Sequence, residues 1–138
     1  MKRVLFVCTH NSARSQMAEA LLRSMAAGAF EVHSAGTEAG SLHPLAVEAM
    51  GEIGIDISRQ EAKPVSRYED QAFDYVITVC DDAQEACPSF PAAPRRLHWS
   101  IPDPSRVTGS AEAKLSAFRD ARDRLTALIA EFVKGAAR

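Results

Sequence analysis

The stretch from Val4 to Ser15, VLFVCTHNSARS, constrains this chain more than any other. Val4, Leu5, Phe6 and Val7 form an unbroken run of apolar strand formers, the pattern of a strand buried on both faces of a parallel sheet. The run stops at Cys8. Thr9, His10, Asn11 and Ser12 suit a tight loop, and Ser15 is an acceptable N-cap for an amphipathic segment carrying Met17, Ala18, Leu21, Leu22 and Met25, with Gly28 as its stop. A thiol beneath a helix N-terminus meets unpaired backbone N–H groups and the positive end of the helix dipole. That setting binds oxyanions and favours a thiolate over a thiol. Arg14 adds a planar fork of donors matched to two oxygens of a tetrahedral oxyanion. Cys8, Thr9, His10, Asn11, Ser12, Ala13 and Arg14, with Ser15 in reach of the sulfur, therefore read as an oxyanion-binding loop, and the implied chemistry is thiolate attack on the bound oxyanion. The bare C-x5-R spacing arises by chance in about a quarter of chains with this many arginines and three cysteines, so its weight comes from the strand before it and the helix after it.

A chain of 138 residues fits one domain, taken as residues 1–138, and can bury about 70% of its unfolded surface without staples. A net charge of -2 with no basic run gives no footprint for nucleic acid. Between Arg3 and Cys8 there are too few apolar residues for an export signal, and nothing approaches the ~20 that a membrane span needs. A cytoplasmic protein is expected, off the membrane and monomeric. Three cysteines are an odd count, which speaks against a structural disulfide framework and for reactive thiols. His10, His33, His43 and His98 lack metal-ligand spacing and read as structural or solvent-facing.

Further strands are expected at Phe30 to Ser34, Tyr75 to Val79 and Arg95 to Trp99. Helices are expected from Pro44 through Ile53, from about Ser66 to Asp70, and from Ser110, as cap, to a stop at Gly135. Asp81 to Ala86 reads as a weak helix or loop carrying Cys87, and Pro88, Pro91 and Pro94 keep the next segment irregular. Strands alternating with helices imply an α/β fold, a three-layer sandwich whose four-stranded parallel sheet is flanked by helices on both faces. In such folds, sites form beyond the carboxyl ends of the strands. Cys8, Cys80 and Asp103 each come just after an expected strand, so three chemical groups converge on one edge of the sheet.

The chain resembles the low-molecular-weight tyrosine phosphatase superfamily, and within it the thioredoxin-coupled arsenate reductases. The resemblance is carried by CTHNSARSQMAEALL from Cys8, HSAGT around Ser34, GIDIS ending at Ser58, VITVCDDAQEACP around Cys80 and Cys87, HW at Trp99 and DP at Asp103. The resemblance implies that Cys8 attacks arsenate and that Asp103 protonates the departing oxygen. It further implies that Cys80 attacks the sulfur–arsenic adduct to release arsenite, that Cys87 takes over the resulting disulfide, and that thioredoxin reduces the Cys80–Cys87 bond. Reducing equivalents then come from thioredoxin, with no bound cofactor. Each step is thiolate attack with a resolving thiol nearby. Ala13 stands where some members carry a further, dispensable cysteine. Asn11, Glu19 and Ser34 match the ligands of potassium-binding relatives, but Lys63 stands where those have an aspartate, which speaks against a potassium site; an ammonium there would carry the cation's charge itself.

Two rivals are a tyrosine phosphatase using Cys8, Arg14 and Asp103, and a non-enzymatic thiol-redox or metalloid sensor using the three cysteines. Ser105 comes after Pro104 where phosphatases of this family usually carry tyrosine beside the acid. Spacing alone makes Asp103 a turn former and Lys63 a solvated surface charge.

Overall fold

The computed structural model describes residues 1–81 and 95–136. Four strands, β1 (Lys2–Cys8), β2 (Phe30–Gly36), β3 (Tyr75–Cys80) and β4 (Arg95–Ser100), form one sheet in the order β2-β1-β3-β4, every pair parallel. The order reverses between β1 and β3. In an open parallel sheet that reversal leaves a crevice beyond the carboxyl ends of the two strands, which are Cys8 and Cys80.

Alternation along the strands divides the core in two. Val4, Phe6 and Cys8 of β1 and Tyr75, Ile77 and Val79 of β3 pack with helices α1 (Arg14–Met25), α2 (Pro44–Gly51) and α3 (Ala111–Ala136). Leu5, Val7 and Val76 face the other way and are covered by Val65 and Tyr68 of a 3₁₀ turn, Val65–Tyr68, together with Phe73. The sheet thus has helical cover on both faces, as expected, though the expected helix at Ser66 to Asp70 is this shorter 3₁₀ turn. Phe132 fastens α3 to the sheet, its ring 5.6 Å from Phe30, 5.0 Å from Tyr75 and 6.3 Å from Trp99.

Three helix ends differ from expectation. Ala13, not Ser15, is the N-cap of α1 and makes no side-chain cap bond, because the Ser15 hydroxyl is turned to the sulfur instead. Helix α2 stops at Gly51, two residues short of Ile53, and the chain turns at Gly54 with φ +81°. Helix α3 runs past Gly135 to Ala136, so that glycine lies in the last turn and stops nothing. Ser110 does cap α3, its hydroxyl accepting from Ala113 N at 3.1 Å. The expected weak helix at Asp81 to Ala86, beyond Asp81, and Cys87 with the prolines after it lie outside the described residues. Among the described residues no helix is long and apolar enough to cross a membrane.

Candidate active site

Strand β1 delivers Cys8 to the crevice, buried and free. The loop after it is held by its carbonyls. Thr37 N donates to Cys8 O (3.3 Å), Glu38 N to Thr9 O (2.8 Å), Gly40 N to His10 O (3.0 Å), Gln16 Nε2 to Asn11 O (3.0 Å), His43 N to Ser12 O (2.9 Å) and Met17 N to Ala13 O (2.8 Å). Each peptide is planar and trans, so turning its carbonyl toward an outside donor turns the next N–H the opposite way. One such group, Asn11 N, donates to Cys8 Sγ at 3.2 Å. The loop thus keeps its carbonyls to the outside, which leaves its N–H groups free to face the other way, with Arg14 at the first turn of α1.

This close fit depends on Gly36 at the end of β2. A Cβ there would lie 2.7 Å from Thr9 O, 2.8 Å from Asn11 N and 2.8 Å from His10 C, all of them backbone atoms.

Asn11 sits at φ 51°, a left-handed conformation that asparagine tolerates, and all its side-chain capacity is used. Nδ2 donates to Ser15 Oγ (2.7 Å) and Ser34 Oγ (3.0 Å), while Oδ1 accepts from Lys63 N (2.8 Å) and Gln16 Nε2 (3.1 Å). Ser15 Oγ, which accepts from Asn11, also lies 2.8 Å from Cys8 Sγ, in hydrogen-bond contact with it. Asn11 N and the Ser15 hydroxyl are thus the two groups in hydrogen-bond reach of the sulfur.

Lys63 is not a solvated surface charge. It is buried, with Nζ 2.9 Å from Glu61 O, 3.5 Å from Ser34 Oγ and 3.6 Å from Glu19 Oε1. Asn11, Glu19 and Ser34 do come together, but a potassium ion does not fit among them while the ammonium lies there. No cluster of three or more His, Cys, Asp or Glu side chains able to hold a metal occurs among the described residues.

Asp103 ends the exit from β4 and caps a 3₁₀ turn, Pro104–Arg106. Its two oxygens have separate partners. Oδ1 accepts from Ser105 N (2.9 Å) and Ser105 Oγ (2.7 Å), whereas Oδ2 faces the buried Arg14 guanidinium at 3.6 Å and Arg106 at 4.0 Å. Arg14 is held from behind by Nη1 donating to Ile101 O (2.9 Å), and Ile101 N donates to Cys80 O at the end of β3 (3.2 Å). The open cleft in front, about 530 Å³, is lined by Thr9, His10, Thr37, Glu38, Asp103, Ser105 and Arg106.

Cys80 is buried and disulfide-bonded. With Cys8 free, its partner lies outside the described residues, as does the expected site residue Cys87. Alternation places Cys80 on the sheet face of Val76, opposite to the face on which Cys8 packs.

Among the histidines, His43 has a local task that reading it as structural or solvent-facing left unspecified. Its Nδ1 accepts from Leu45 N at 3.1 Å to cap α2, its ring lies 4.6 Å from that of Phe118, and burial lowers its pKa, partly offset by Asp103. Gln16, Gly36, His43 and Ser105 escaped the sequence reading as site residues. The sequence signals were present: a polar residue at the start of a helix, and a glycine at the end of a strand.

Residues 3–138 match the family described as low molecular weight phosphotyrosine protein phosphatase. The chain is 41% identical over 133 residues to an arsenate reductase of Halalkalibacterium halodurans, covering 96% of each protein. Its fold superimposes on that of an arsenate reductase in the phosphate-binding state with a TM-score of 0.82, at 33% identity and 98% coverage of both chains. A thioredoxin-dependent arsenate reductase of Corynebacterium glutamicum superimposes with a TM-score of 0.73 at 32% identity, over 98% of this chain and 61% of that one.

Proposed function

This chain belongs to the low molecular weight phosphotyrosine protein phosphatase family, and from that premise we propose that it is an arsenate reductase, drawing electrons from thioredoxin without a bound cofactor and serving arsenic detoxification. The observation that carries this reading is the disulfide at Cys80, at the carboxyl end of the strand beside the one that ends in the free thiol Cys8. A phosphatase needs no second thiol there. A sensor built on thiols needs neither the loop's N–H groups nor an acid opposite Arg14.

The geometry supports the following chemistry. The loop N–H groups and Arg14 bind the arsenate oxygens and place arsenic against Cys8 Sγ. The thiolate attacks, a sulfur–arsenic bond forms and an arsenic–oxygen bond breaks. The departing hydroxyl leaves as water after taking a proton from Asp103. That proton is carried on Oδ2, because Oδ1 is occupied by two donors from Ser105. Cys80 thiolate then attacks Cys8 Sγ. The sulfur–arsenic pair of electrons stays with arsenic, which leaves as arsenite, and the two sulfurs are oxidised to a disulfide. Cys87 exchanges into that disulfide, freeing Cys8, and the dithiol of thioredoxin reduces the Cys80–Cys87 bond. With its disulfide formed, Cys80 lies on the far face of the sheet from Cys8, so the second step requires it to change position.

The test is arsenite release with thioredoxin, thioredoxin reductase and NADPH. Wild type should turn over, and Cys8→Ser should lose at least ~10³-fold while keeping its fold. Cys80→Ser and Cys87→Ser should stop turnover yet leave any hydrolysis of an aryl phosphate intact, since hydrolysis uses only the loop and the acid. Turnover surviving in Cys8→Ser would overturn the mechanism, and aryl phosphate hydrolysis without arsenite release would make the protein a phosphatase.

A further inference from the structure

Lys63 is the buried charge that arsenate reduction leaves without work. Its side chain is 11% exposed, and its ammonium faces a backbone carbonyl (Glu61 O), a hydroxyl (Ser34 Oγ) and a carboxylate (Glu19 Oε1). Oxygens of these three kinds around one positive charge are what a hard metal cation collects. Here the charge is tethered to the chain.

From this point contacts run without a break to the thiol. Ser34 Oγ donates to Glu19 Oε1 (2.5 Å), which fixes the hydroxyl so that its lone pairs meet Lys63 Nζ and Asn11 Nδ2. The second hydrogen of Asn11 Nδ2 goes to Ser15 Oγ, which touches Cys8 Sγ, and Asn11 N donates to the same sulfur. The main chain of Lys63 holds the network from the other side. Its N–H donates to Asn11 Oδ1 and its carbonyl accepts from Gly36 N at 2.8 Å. Glu19 keeps a partner for Oε2 in Arg23 (2.7 Å), so the charge on Lys63 answers Oε1 in particular.

We propose that Lys63 is a built-in cation: a positioning residue whose ammonium holds Glu19 and Ser34, and through them the Asn11 and Ser15 groups that contact Cys8, so that the site works without an exchangeable monovalent ion. It acts through Asn11 and touches no substrate. The site is the one to which arsenate reduction is assigned, but the readouts at Cys8 do not depend on arsenate being the substrate.

Three measurements test it. The first compares potassium with sodium at constant ionic strength in wild type. The rate of Cys8 alkylation by iodoacetamide, followed by peptide mapping, the melting temperature and arsenite release should each be the same in the two salts within about twofold or about 1 °C. In Lys63→Met, which keeps the length and loses the charge, alkylation and arsenate kcat/KM should fall about tenfold or more. Potassium at high concentration should then restore both, and raise the melting temperature, more than sodium does. In Lys63→Asp, which adds a carboxylate to the same oxygens, the melting temperature should become dependent on potassium; this variant keeps the test alive if Lys63→Met does not fold. A potassium-specific gain in wild type overturns the proposal. So does a folded Lys63→Met with wild-type alkylation, or with a loss that no monovalent cation restores. Alkylation and melting behaviour as expected without any arsenite release would retain the built-in cation and remove the reductase reading instead.

Discussion

At Asp103, proposed above as the proton donor, a neighbouring serine fixes which carboxylate oxygen is left for the cleft. Ser105 supplies both its N–H and its hydroxyl to Oδ1, which leaves Oδ2 toward Arg14 and the cleft. Ser105→Ala keeps the backbone bond and removes the hydroxyl. Single-turnover arsenate reduction should slow about tenfold, a part of the ~10²–10⁴ that a positioned acid supplies. KM should stay within about twofold, and Ser105→Thr should recover most of the rate. A raised KM with an unchanged single-turnover rate would show that Ser105 shapes binding instead. Gly36→Ala tests the opposite wall. Its Cβ would sit 2.7 Å from Thr9 O, a backbone atom that cannot swing away as a side chain can. The loop must shift at a cost of about 1–3 kcal/mol, so inhibition by phosphate should weaken at least tenfold. Inhibition at wild-type strength would mean that the loop tolerates the push. At this scale Cys8 and Arg14 stood out because a thiol after a buried strand and a guanidinium at the next helix start announce themselves by type, whereas Asp103 read by spacing as a turn former and became a candidate acid only through the family resemblance. Ser15 was legible as a partner of the sulfur but also as a cap, and only one hydroxyl was available for the two tasks. The burial of Lys63 was not legible, since a lysine in a polar stretch is by default solvated and its enclosure is made by Glu19 and Ser34, distant in sequence.

The elements read most clearly where burial dictates the pattern. The apolar runs of β1 and β3 lie on the two sides of the switch point, and both were visible as uninterrupted strand formers. Strand β4 was found despite an exposed sequence, at the sheet edge and paired with β3 throughout. Helix ends were less legible for a physical reason. Ser15 is a good cap by type, yet the sulfur and Asn11 claim its hydroxyl, and the helix starts on an alanine. Gly135 costs a terminal turn little, and α3 simply continues through it. The segment from residue 38 to residue 42 carried no sequence signature beyond being loop. The work of this segment and its two flanking residues is done by backbone N–H groups at residues 37, 38, 40 and 43 that hold the carbonyls of Cys8, Thr9, His10 and Ser12 toward the outside of the loop. Such work leaves little trace in residue type.

Across the whole molecule, α2 is pinned at both ends, and its far end carries a titratable staple. At its start His43 N holds Ser12 O. Beyond its end Glu52 takes a forked contact from Arg119 of α3, with Nε at 2.9 Å and Nη2 at 2.6 Å, and a further bond from Arg122 Nη1 at 2.9 Å. Arg122 also caps Ala49 O at 2.7 Å. The hydrogen bonds from Arg119, and then those from Arg122, hold the Glu52 carboxyl at about 2, down from 4.5. Glu31, beside Arg3, and Asp56, bonded by Ser58, are lowered in the same direction. A carboxyl lowered by folding binds fewer protons folded than unfolded. Its stabilising contribution is therefore complete above the unfolded value near 4.5 and drains away as pH falls toward 2. The staple is solvent-facing, so added salt should also weaken it. Glu52→Gln should lower the melting temperature modestly at pH near 6, and the gap to wild type should close as pH falls through about 4 toward about 2. Thermal unfolding of the two proteins across that range, at low salt and at about 1 M salt, gives the answer. A gap that stays constant with pH would assign the effect of Glu52 to packing of its stem on α3, and the charge would then have no part in holding α2, and with it the Ser12 end of the oxyanion loop, against the rest of the fold.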